Sequence, residues 1–350
     1  MKILWVIPHE FEVVGGGAWN QVNSMFKEFQ ILTKDNKINI IVDFLRPGVN
    51  IKDYDLVHLF RSDPSLHNLT LYLKGQNIPY WITPIFYSDK SPTLIKTQIQ
   101  LGRMSEHVFS GWKNQFQTAQ EMILGATKVL PNTQAEGQLL VDSMKLPSNQ
   151  IEILHNGIHP EFFEDFQSDD ETFFKEYDIS TGMFGNPRKN TLNLLKAYNK
   201  THGKGKNARN LILVGSFSQG SYSRQCRNLI SQSDNIKHFP SMDSKSVDYK
   251  QLISKASYFV MPSLFETPGL AALEACALKT QVVITAFGGT REYFQENAAY
   301  FEDLSFGGIY RTITALPKNK ISLRNPEAFE IYKWNHVVKD LLEVYLRYLS

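Results

Sequence analysis

Cysteine is scarce in this sequence, and long apolar runs are missing from it. The 350 residues include two cysteines, Cys226 and Cys276, which form no metal-type cluster and fit a reducing compartment. No apolar run is long enough to span a bilayer, and residues 1–8 are too short for a signal peptide and lack a cleavage site. The formal net charge of +2 gives no reason to expect a nucleic-acid partner. We therefore expect a globular, cytoplasmic protein.

The length and the pattern of apolar runs predict two α/β domains. A chain of 350 residues exceeds one ordinary hydrophobic core. Short apolar runs alternate with helical patterns, which favours parallel sheets covered by helices on both faces. The predicted strands are 3–7, 38–44, 56–60, 80–83 and 128–131 in one half, and 211–215, 236–239, 258–261 and 282–285 in the other. The predicted divisions are an N-terminal domain at 1–160, a C-terminal domain at 161–324 and a terminal helix at 325–350.

Two glutamates eight positions apart mark a junction between a strand and a helix in the second half. Residues 256–262 form an apolar run that ends at a proline. Thr267 is a suitable N-cap, and Pro268 suits the first helical position. This pattern predicts that Glu266 lies in the loop before the helix and that Glu274 lies about two turns inside it.

The predicted helix start is suited to an anion. The free amides near Gly269 and Leu270 would point out of the first turn, where a phosphate binds well. A carboxylate on either side of such a site can accept hydrogen bonds from the hydroxyl groups of a sugar and of a ribose. The arrangement of Glu266 and Glu274 about this helix start therefore predicts a nucleotide-sugar site.

Residues 264–275 resemble the E-x7-E motif of retaining glycosyltransferases of family 4 (glycosyl transferases group 1), which have the GT-B architecture. The chain keeps the motif residues Glu266, Gly269, Leu270, Glu274 and Ala275, and has Thr267-Pro268 where the family usually has Gly-Phe. The resemblance implies two Rossmann-like domains that face a central cleft, with the terminal helix crossing back to the N-terminal domain. It also implies that Glu266 binds the donor sugar and that Glu274 binds the ribose.

A basic turn before another predicted helix is similar to the family segment whose arginine and lysine neutralise the leaving diphosphate. Lys189 matches the family lysine, and Arg188 lies beside it. The position of the family arginine is occupied by Met183. We therefore assign Arg188, Lys189 and Glu266 as catalytic residues, with Arg224 as another basic residue that could substitute for the missing arginine.

A glycine-rich loop follows the first predicted strand. It is not the G-x-G-x-x-G fingerprint, which disfavours a dinucleotide site. In the family, a glycine loop at this position faces the donor diphosphate. Gly16 and Gly17 therefore join Gly269, Leu270 and Glu274 as predicted nucleotide-sugar-binding residues, the alternative for the loop being a plain tight turn.

A metal site is not expected. Asp53-Tyr54-Asp55 spells the D-x-D metal motif of the other large glycosyltransferase fold, but it opens a predicted strand here. No set of His, Cys and carboxylate side chains has ligand spacing. We expect neither a metal nor a cofactor, since the nucleotide-sugar is a substrate.

The resemblance implies transfer of a sugar from a UDP- or GDP-linked donor to a hydroxyl group of a saccharide, lipid-linked or protein acceptor. The expected setting is assembly of a cell-surface polysaccharide, glycolipid or glycoprotein. Residues 90–113 mix basic and apolar side chains, which suits either contact with an anionic membrane surface, at the inner face of the membrane, or an ordinary helix of the first domain.

Two other functions are compatible with the sequence. One is a glycosyltransferase-like partner subunit that has lost catalysis. In its favour are Met183 and the absence of a histidine that many family members carry after the strand at 80–83. The other is a sugar-nucleotide epimerase or sugar phosphorylase on the same fold.

Overall fold

The computed structural model describes residues 1–9, 17–36, 38–86, 88, 90–108, 113–164, 176–202, 208–317, 323 and 325–349. The chain divides into two units. The first consists of Met1–Gly157 together with Trp334–Ser350, and the second of Ile158–Lys333. Each unit contains its own parallel sheet and its own hydrophobic cores.

The first unit contains a five-stranded parallel sheet in the order β2-β1-β3-β4-β5. Its strands are β1 (Lys2–Val6), β2 (Ile41–Phe44), β3 (Leu56–Phe60), β4 (Tyr80–Thr83) and β5 (Lys128–Val129). Its helices are α1 (Gly17–Asp35), α2 (His67–Gly75), α3 (Pro92–Val108), α4 (Gln115–Leu124), α5 (Gln134–Met144) and α12 (Trp334–Leu349). Strands β3 and β4 are buried along their whole length, as expected for a parallel sheet covered on both faces.

The terminal helix α12 is fixed to this sheet through the hydroxyl group of Tyr345. Trp5 Nε1 donates to that oxygen at 3.0 Å, and the Nδ1 atom of His58 lies 2.5 Å from it. The Trp81 ring stacks on the Tyr345 ring with centroids 5.1 Å apart. Burial lowers the pKa of His58 to about 3, so this histidine is neutral and serves the packing of the unit.

The second unit contains a six-stranded parallel sheet in the order β11-β10-β9-β6-β7-β8. Its strands are β6 (Asp178–Met183), β7 (Leu211–Ser216), β8 (Ile236–Phe239), β9 (Tyr258–Met261), β10 (Gln281–Thr285) and β11 (Ala298–Phe301). Its helices are α6 (Thr191–Thr201), α7 (Ser221–Ser231), α8 (Val247–Lys255), α9 (Leu270–Ala277), α10 (Thr290–Phe294) and α11 (Phe306–Ala315). This strand order is that of a Rossmann-like domain, with β6 and β9 adjacent at its centre.

The fold differs from the sequence-based expectations in its strands, in its domain boundaries and in its terminal helix. Strands β6 and β11 were not predicted, although β6 is central to its sheet. The chain passes from the first unit to the second after Gly157 and returns to the first at Trp334, whereas the boundaries expected from the sequence follow residues 160 and 324. The segment predicted as one terminal helix consists of a 3-10 helix, Pro326–Tyr332, and then α12, because Lys333 between them has an extended backbone with ψ of 138°.

Helix α3 buries Ile95 and Ile99 and leaves Leu94, Leu101 and Met104 exposed. It therefore packs as a helix of the first unit while presenting apolar side chains to solvent, and a membrane contact stays a prediction. Among the described residues, no helix has both the length and the apolar character needed to cross a bilayer.

Gly182 and Gly215 are register partners that allow strands β6 and β7 to approach closely at their carboxyl ends. Gly215 has φ of +155°, and a Cβ atom there would lie 1.8 Å from the carbonyl oxygen of Gly182. Gly220, the N-cap of α7, also has a positive φ, of +138°, but a Cβ atom there would meet no other atom within 4 Å.

We expect Gly215→Ala to lower the free energy of unfolding by more than the ~1–3 kcal/mol of backbone strain alone, and Gly220→Ala by no more than that strain. Urea denaturation of the two variants measures the difference, and equal losses would contradict the steric argument.

Candidate functional site

The candidate site lies at the carboxyl ends of β6 and β9, the two adjacent central strands of the second sheet. Connections lead from this point to opposite sides of the sheet, since β7 and β8 lie beyond β6 while β10 and β11 lie beyond β9. Such a switch point leaves a crevice where ligands bind in open α/β sheets. The loop after β6 carries Arg188 and Lys189, and the loop after β9 carries Glu266.

The side chain of Glu266 is paired with both cations. Its Oε1 atom lies 2.7 Å from Lys189 Nζ and 3.2 Å from Arg188 Nη1. The Glu266 side chain is 9% exposed, whereas Arg188 and Lys189 are 32% and 19% exposed. One buried carboxylate therefore holds two partly exposed cations side by side, and the trio has a net charge of +1.

The Glu266 carboxyl is ionised in this setting. Burial raises its pKa, but the charges of Lys189 and Arg188 and the hydrogen bond from Lys189 outweigh burial, and the pKa lies below its usual value. An ionised carboxylate can accept hydrogen bonds from hydroxyl groups, which is the capacity that a sugar ligand needs.

The turn before α6 fixes Arg188 by several contacts. The Asn186 side chain accepts a hydrogen bond from the Arg188 amide at 3.0 Å and begins the 3-10 turn Pro187–Lys189. The Arg188 guanidinium donates to the carbonyl oxygen of Phe265 at 2.7 Å and lies over the Phe265 ring, 5.2 Å from its centroid. These contacts join the loop after β6 to the loop after β9.

A third loop, after β10, holds the backbone of Glu266. The Glu266 amide donates to the Phe287 carbonyl at 3.2 Å, and the Gly289 amide donates to the Glu266 carbonyl at 2.9 Å. Gly288 between them has φ of +102°, and a Cβ atom there would lie 2.1 Å from the Glu266 carbonyl oxygen. Only a glycine fits this approach, so the two loops fix the position of Glu266 from opposite sides.

Helix α9 begins at Leu270, with Gly269 in the N-cap position. The expectation that Thr267 is the N-cap and Pro268 the first helical residue is wrong, because Gly269 adopts φ of +90°, which a helical residue cannot have. Gly269 and Leu270 do lie at the helix start, and the cap makes no side-chain hydrogen bond to the first turn. The amides of a helix start without such a cap are available to an anion.

Glu274 is the fifth residue of α9 and lies a little over one turn inside the helix. The sequence had predicted about two turns. Its side chain is partly buried. Burial is the largest influence on its carboxyl and raises the pKa to about 8.

The remaining predicted residues are placed as follows. Met183 ends β6 and is 56% exposed. Arg224 is exposed on α7, and among the described residues Arg188 and Lys189 are the cations paired with Glu266. Gly16 lies outside the described residues, and Gly17 is the first residue of α1.

Asp53 and Asp55 have structural partners. Asn50 Nδ2 donates to Asp53 at 2.9 Å, and the Lys2 amide donates to Asp55 at 2.8 Å. Over the described ranges, no group of three or more His, Cys, Asp and Glu side chains is arranged to hold a metal ion.

The two Rossmann-like units match the fold of GT-B glycosyltransferase structures. Residues 182–307, which contain every candidate of the second unit, match the model of the family described as glycosyl transferases group 1. A stretch of 104 residues is 29% identical to an uncharacterized glycosyltransferase of Methanocaldococcus jannaschii, and this match spans 27% of each protein. These findings support a glycosyltransferase.

Solved structures share the fold along the whole chain. A glycosyltransferase of Rickettsia africae has a TM-score of 0.70 at 17% identity, covering 100% of this chain and 98% of that one. Sucrose-phosphate synthase of Thermosynechococcus elongatus has a TM-score of 0.73 at 16% identity, covering 100% and 99%. Anabaena HepE, solved in complex with UDP-glucose, has a TM-score of 0.67 at 14% identity, covering 99% and 100%. At these identities the likeness shows the fold alone.

Proposed function

We propose that this protein is a retaining, metal-independent glycosyltransferase of family 4 that transfers a sugar from a nucleotide-sugar to an acceptor hydroxyl group. The observation that carries the proposal is the pairing of Glu266 with Lys189 and Arg188 at the switch point of the second sheet. A carboxylate for sugar hydroxyls and two cations for a diphosphate are held there within one hydrogen-bonded group.

Each side chain has a part in the proposed reaction. The bond between the anomeric carbon and the diphosphate oxygen breaks, the acceptor oxygen bonds to that carbon, and the acceptor proton leaves with the nucleoside diphosphate. Lys189 and Arg188 offset the charge that develops on the diphosphate, and amides at Gly269 and Leu270 bind its oxygens. Glu266 accepts hydrogen bonds from the transferred sugar.

The proposed donor is UDP- or GDP-linked. HepE of Anabaena has been solved with UDP and with UDP-glucose, which makes a UDP-linked hexose the first donor to test. The proposed acceptor is a saccharide, a lipid-linked saccharide or a protein, in assembly of a cell-surface glycan. The proposed location is the cytoplasm, including the inner face of the membrane.

Thermal denaturation with UDP, GDP, UDP-glucose and GDP-mannose tests donor binding. A ligand present at about 100 times its dissociation constant should stabilise the protein by about 2.7 kcal/mol, which shifts the melting temperature measurably. Release of nucleoside diphosphate from the stabilising donor then tests transfer or slow hydrolysis. Binding without any turnover would indicate a partner subunit that has lost catalysis, and turnover that needs phosphate rather than an acceptor would indicate a phosphorylase.

We expect Glu274→Ala to weaken binding of the nucleoside diphosphate while the fold is retained. At about pH 9, where Glu274 with its pKa of about 8 is mostly ionised, a hydrogen bond between a ribose hydroxyl and the carboxylate is worth about 1.5–3 kcal/mol, or about 10- to 150-fold in the dissociation constant. Isothermal titration with UDP and GDP measures the change, and circular dichroism checks the fold. Affinity equal to that of the parent would reject the assignment of Glu274 to the ribose.

A further inference from the structure

One carboxylate oxygen contacts both cations of the candidate site. Lys189 Nζ donates to Glu266 Oε1 at 2.7 Å, and Arg188 Nη1 lies 3.2 Å from the same oxygen. Arg188 Nη1 also donates to the Phe265 carbonyl at 2.7 Å. Among the described residues, Glu266 is the one hydrogen-bond acceptor of Lys189 Nζ. Arg188 therefore has an anchor apart from Glu266, whereas the ammonium group of Lys189 depends on the carboxylate.

The helix start that would bind a diphosphate adjoins this ion pair. A Cβ atom at Gly269, the N-cap of α9, would lie 3.6 Å from Glu266 Cβ. A Cβ atom at Gly182, near the end of β6, would lie 3.9 Å from Lys189 Cε. A diphosphate bound by the amides of this helix start would therefore meet the Glu266 carboxylate as well as the Lys189 ammonium.

The positive charge at this place is limited. Arg188 and Lys189 carry two positive charges, and Glu266 cancels one of them. Met183, which ends β6 and is 56% exposed, adds none. A lysine ammonium has three protons and can donate to two acceptors, but it carries a single charge. The Glu266 carboxylate and a bound diphosphate therefore compete for the same cations.

A donor and its product differ in what they offer to Glu266. A terminal phosphate has a second pKa of about 6, so a nucleoside diphosphate carries a negative charge that the sugar-linked diphosphate lacks. The intact donor also brings sugar hydroxyl groups, which can donate to the carboxylate in place of Lys189. The product has no such group, and a buried carboxylate that loses its partner is costly. Binding of the product thus weakens the ion pair without replacing it.

We infer that Glu266 makes the site prefer the intact nucleotide-sugar over the nucleoside diphosphate, because its carboxylate competes with the diphosphate for Lys189 and only the sugar hydroxyl groups compensate it. This inference rests on the proposed function, since it requires that a nucleotide-sugar binds at this helix start. It gives Glu266 a part in product release in addition to its contact with the sugar. The exchange of partners takes place at Lys189.

The first test measures the preference of the site by isothermal titration. UDP is compared with UDP-glucose and GDP with GDP-mannose, and the preference is the dissociation constant of the diphosphate divided by that of the nucleotide-sugar. We expect Glu266→Gln to bind the diphosphate about tenfold more tightly than the parent does, because the competing charge is gone. Its affinity for the nucleotide-sugar should not rise, because the loss of the hydroxyl contacts offsets this gain. The preference should therefore fall by about tenfold.

A double-mutant cycle on diphosphate affinity locates the exchange. In a Lys189→Ala background there is no Lys189 pair to exchange, so the gain from Glu266→Gln should shrink to about threefold or less. In an Arg188→Ala background the Lys189 pair remains, and the gain should stay near about tenfold. Glu330→Gln is the matched control, since Glu330 forms an ion pair with Lys333 at 3.3 Å in the same unit. Its affinity should equal that of the parent.

Met183→Arg tests the same account by adding a charge, and it serves if Glu266→Gln does not fold. Met183 is exposed and adjoins Gly182 at the end of β6, so this position accepts a longer side chain. An added cation relieves the competition, and it favours the more highly charged diphosphate over the nucleotide-sugar. We expect the preference to fall by about threefold or more. An unchanged preference in this variant would count against the inference.

The outcomes separate the inference from the proposed function. If neither the diphosphates nor the nucleotide-sugars bind to the parent, the proposed function fails and the inference fails with it. If they bind and kcat falls in Glu266→Gln, but this variant binds the diphosphate no more tightly than the parent does, the inference alone is overturned. A gain of the same size with and without Lys189 would also overturn it, because repulsion without an exchange of partners is additive.

Discussion

Lys189→Ala is expected to lower kcat by about 100- to 1,000-fold while the protein remains folded. The leaving diphosphate gains negative charge in the transition state, and one well-placed donor at such a charge is worth about 2.7–4 kcal/mol. Lys189 is 2.7 Å from Glu266 and is 19% exposed, so it is fixed in position and still accessible to a ligand. Steady-state kinetics with the donor identified by thermal denaturation measures the effect.

Arg188→Ala and the double variant complete this experiment. Because Met183 occupies the position of the family arginine, we expect Arg188→Ala to lower kcat as well, and the double variant to be the least active. Lys196→Ala is the matched control, since Lys196 is exposed on the neighbouring helix α6. This substitution should leave kcat unchanged. A double variant with nearly parental activity would mean that the diphosphate is held elsewhere, and Arg224 would be the next residue to replace.

Glu266→Gln is expected to lower kcat without lowering affinity for the nucleoside diphosphate product. We expect kcat to fall by about 10- to 150-fold, because a hydrogen bond from a sugar hydroxyl to a carboxylate is worth about 1.5–3 kcal/mol. The nucleoside diphosphate lacks the transferred sugar, so its affinity should not fall. Removing the carboxylate also leaves Lys189 and Arg188 without their partner, so affinity for the diphosphate should be equal or higher. Kinetics and isothermal titration on the same preparation measure both quantities.

Glu296→Gln serves as the control for this variant, since Glu296 is exposed in the same unit. A kcat for Glu266→Gln within a few-fold of the parent would show that Glu266 does not bind the donor sugar. A parallel loss of diphosphate affinity and kcat would assign Glu266 to holding the loops in place instead, through its contacts with Arg188 and Lys189.

Strand β6 shows why a central element escaped prediction. Its sequence includes Asp178, Ser180 and Thr181, and a buried strand is usually recognised by an apolar run. Asp178 is buried here because Arg209 lies 3.0 Å away and the Tyr198 hydroxyl donates to it at 2.6 Å. These partners lie far along the chain, so no local pattern shows that the carboxylate can be buried.

The sequence by itself determined the alternation of strands and helices, the two-domain α/β class, and the order of the glutamates, glycines and cations, because these depend on residues close together in the chain. Tertiary structure decided that Lys189 and Arg188 both pair with Glu266, and that Gly269 rather than Thr267 precedes α9. The physical reason is that hydrogen bonds and ion pairs depend on distances of about 3 Å. Such distances between residues tens of positions apart are set only when the sheet and its loops are assembled.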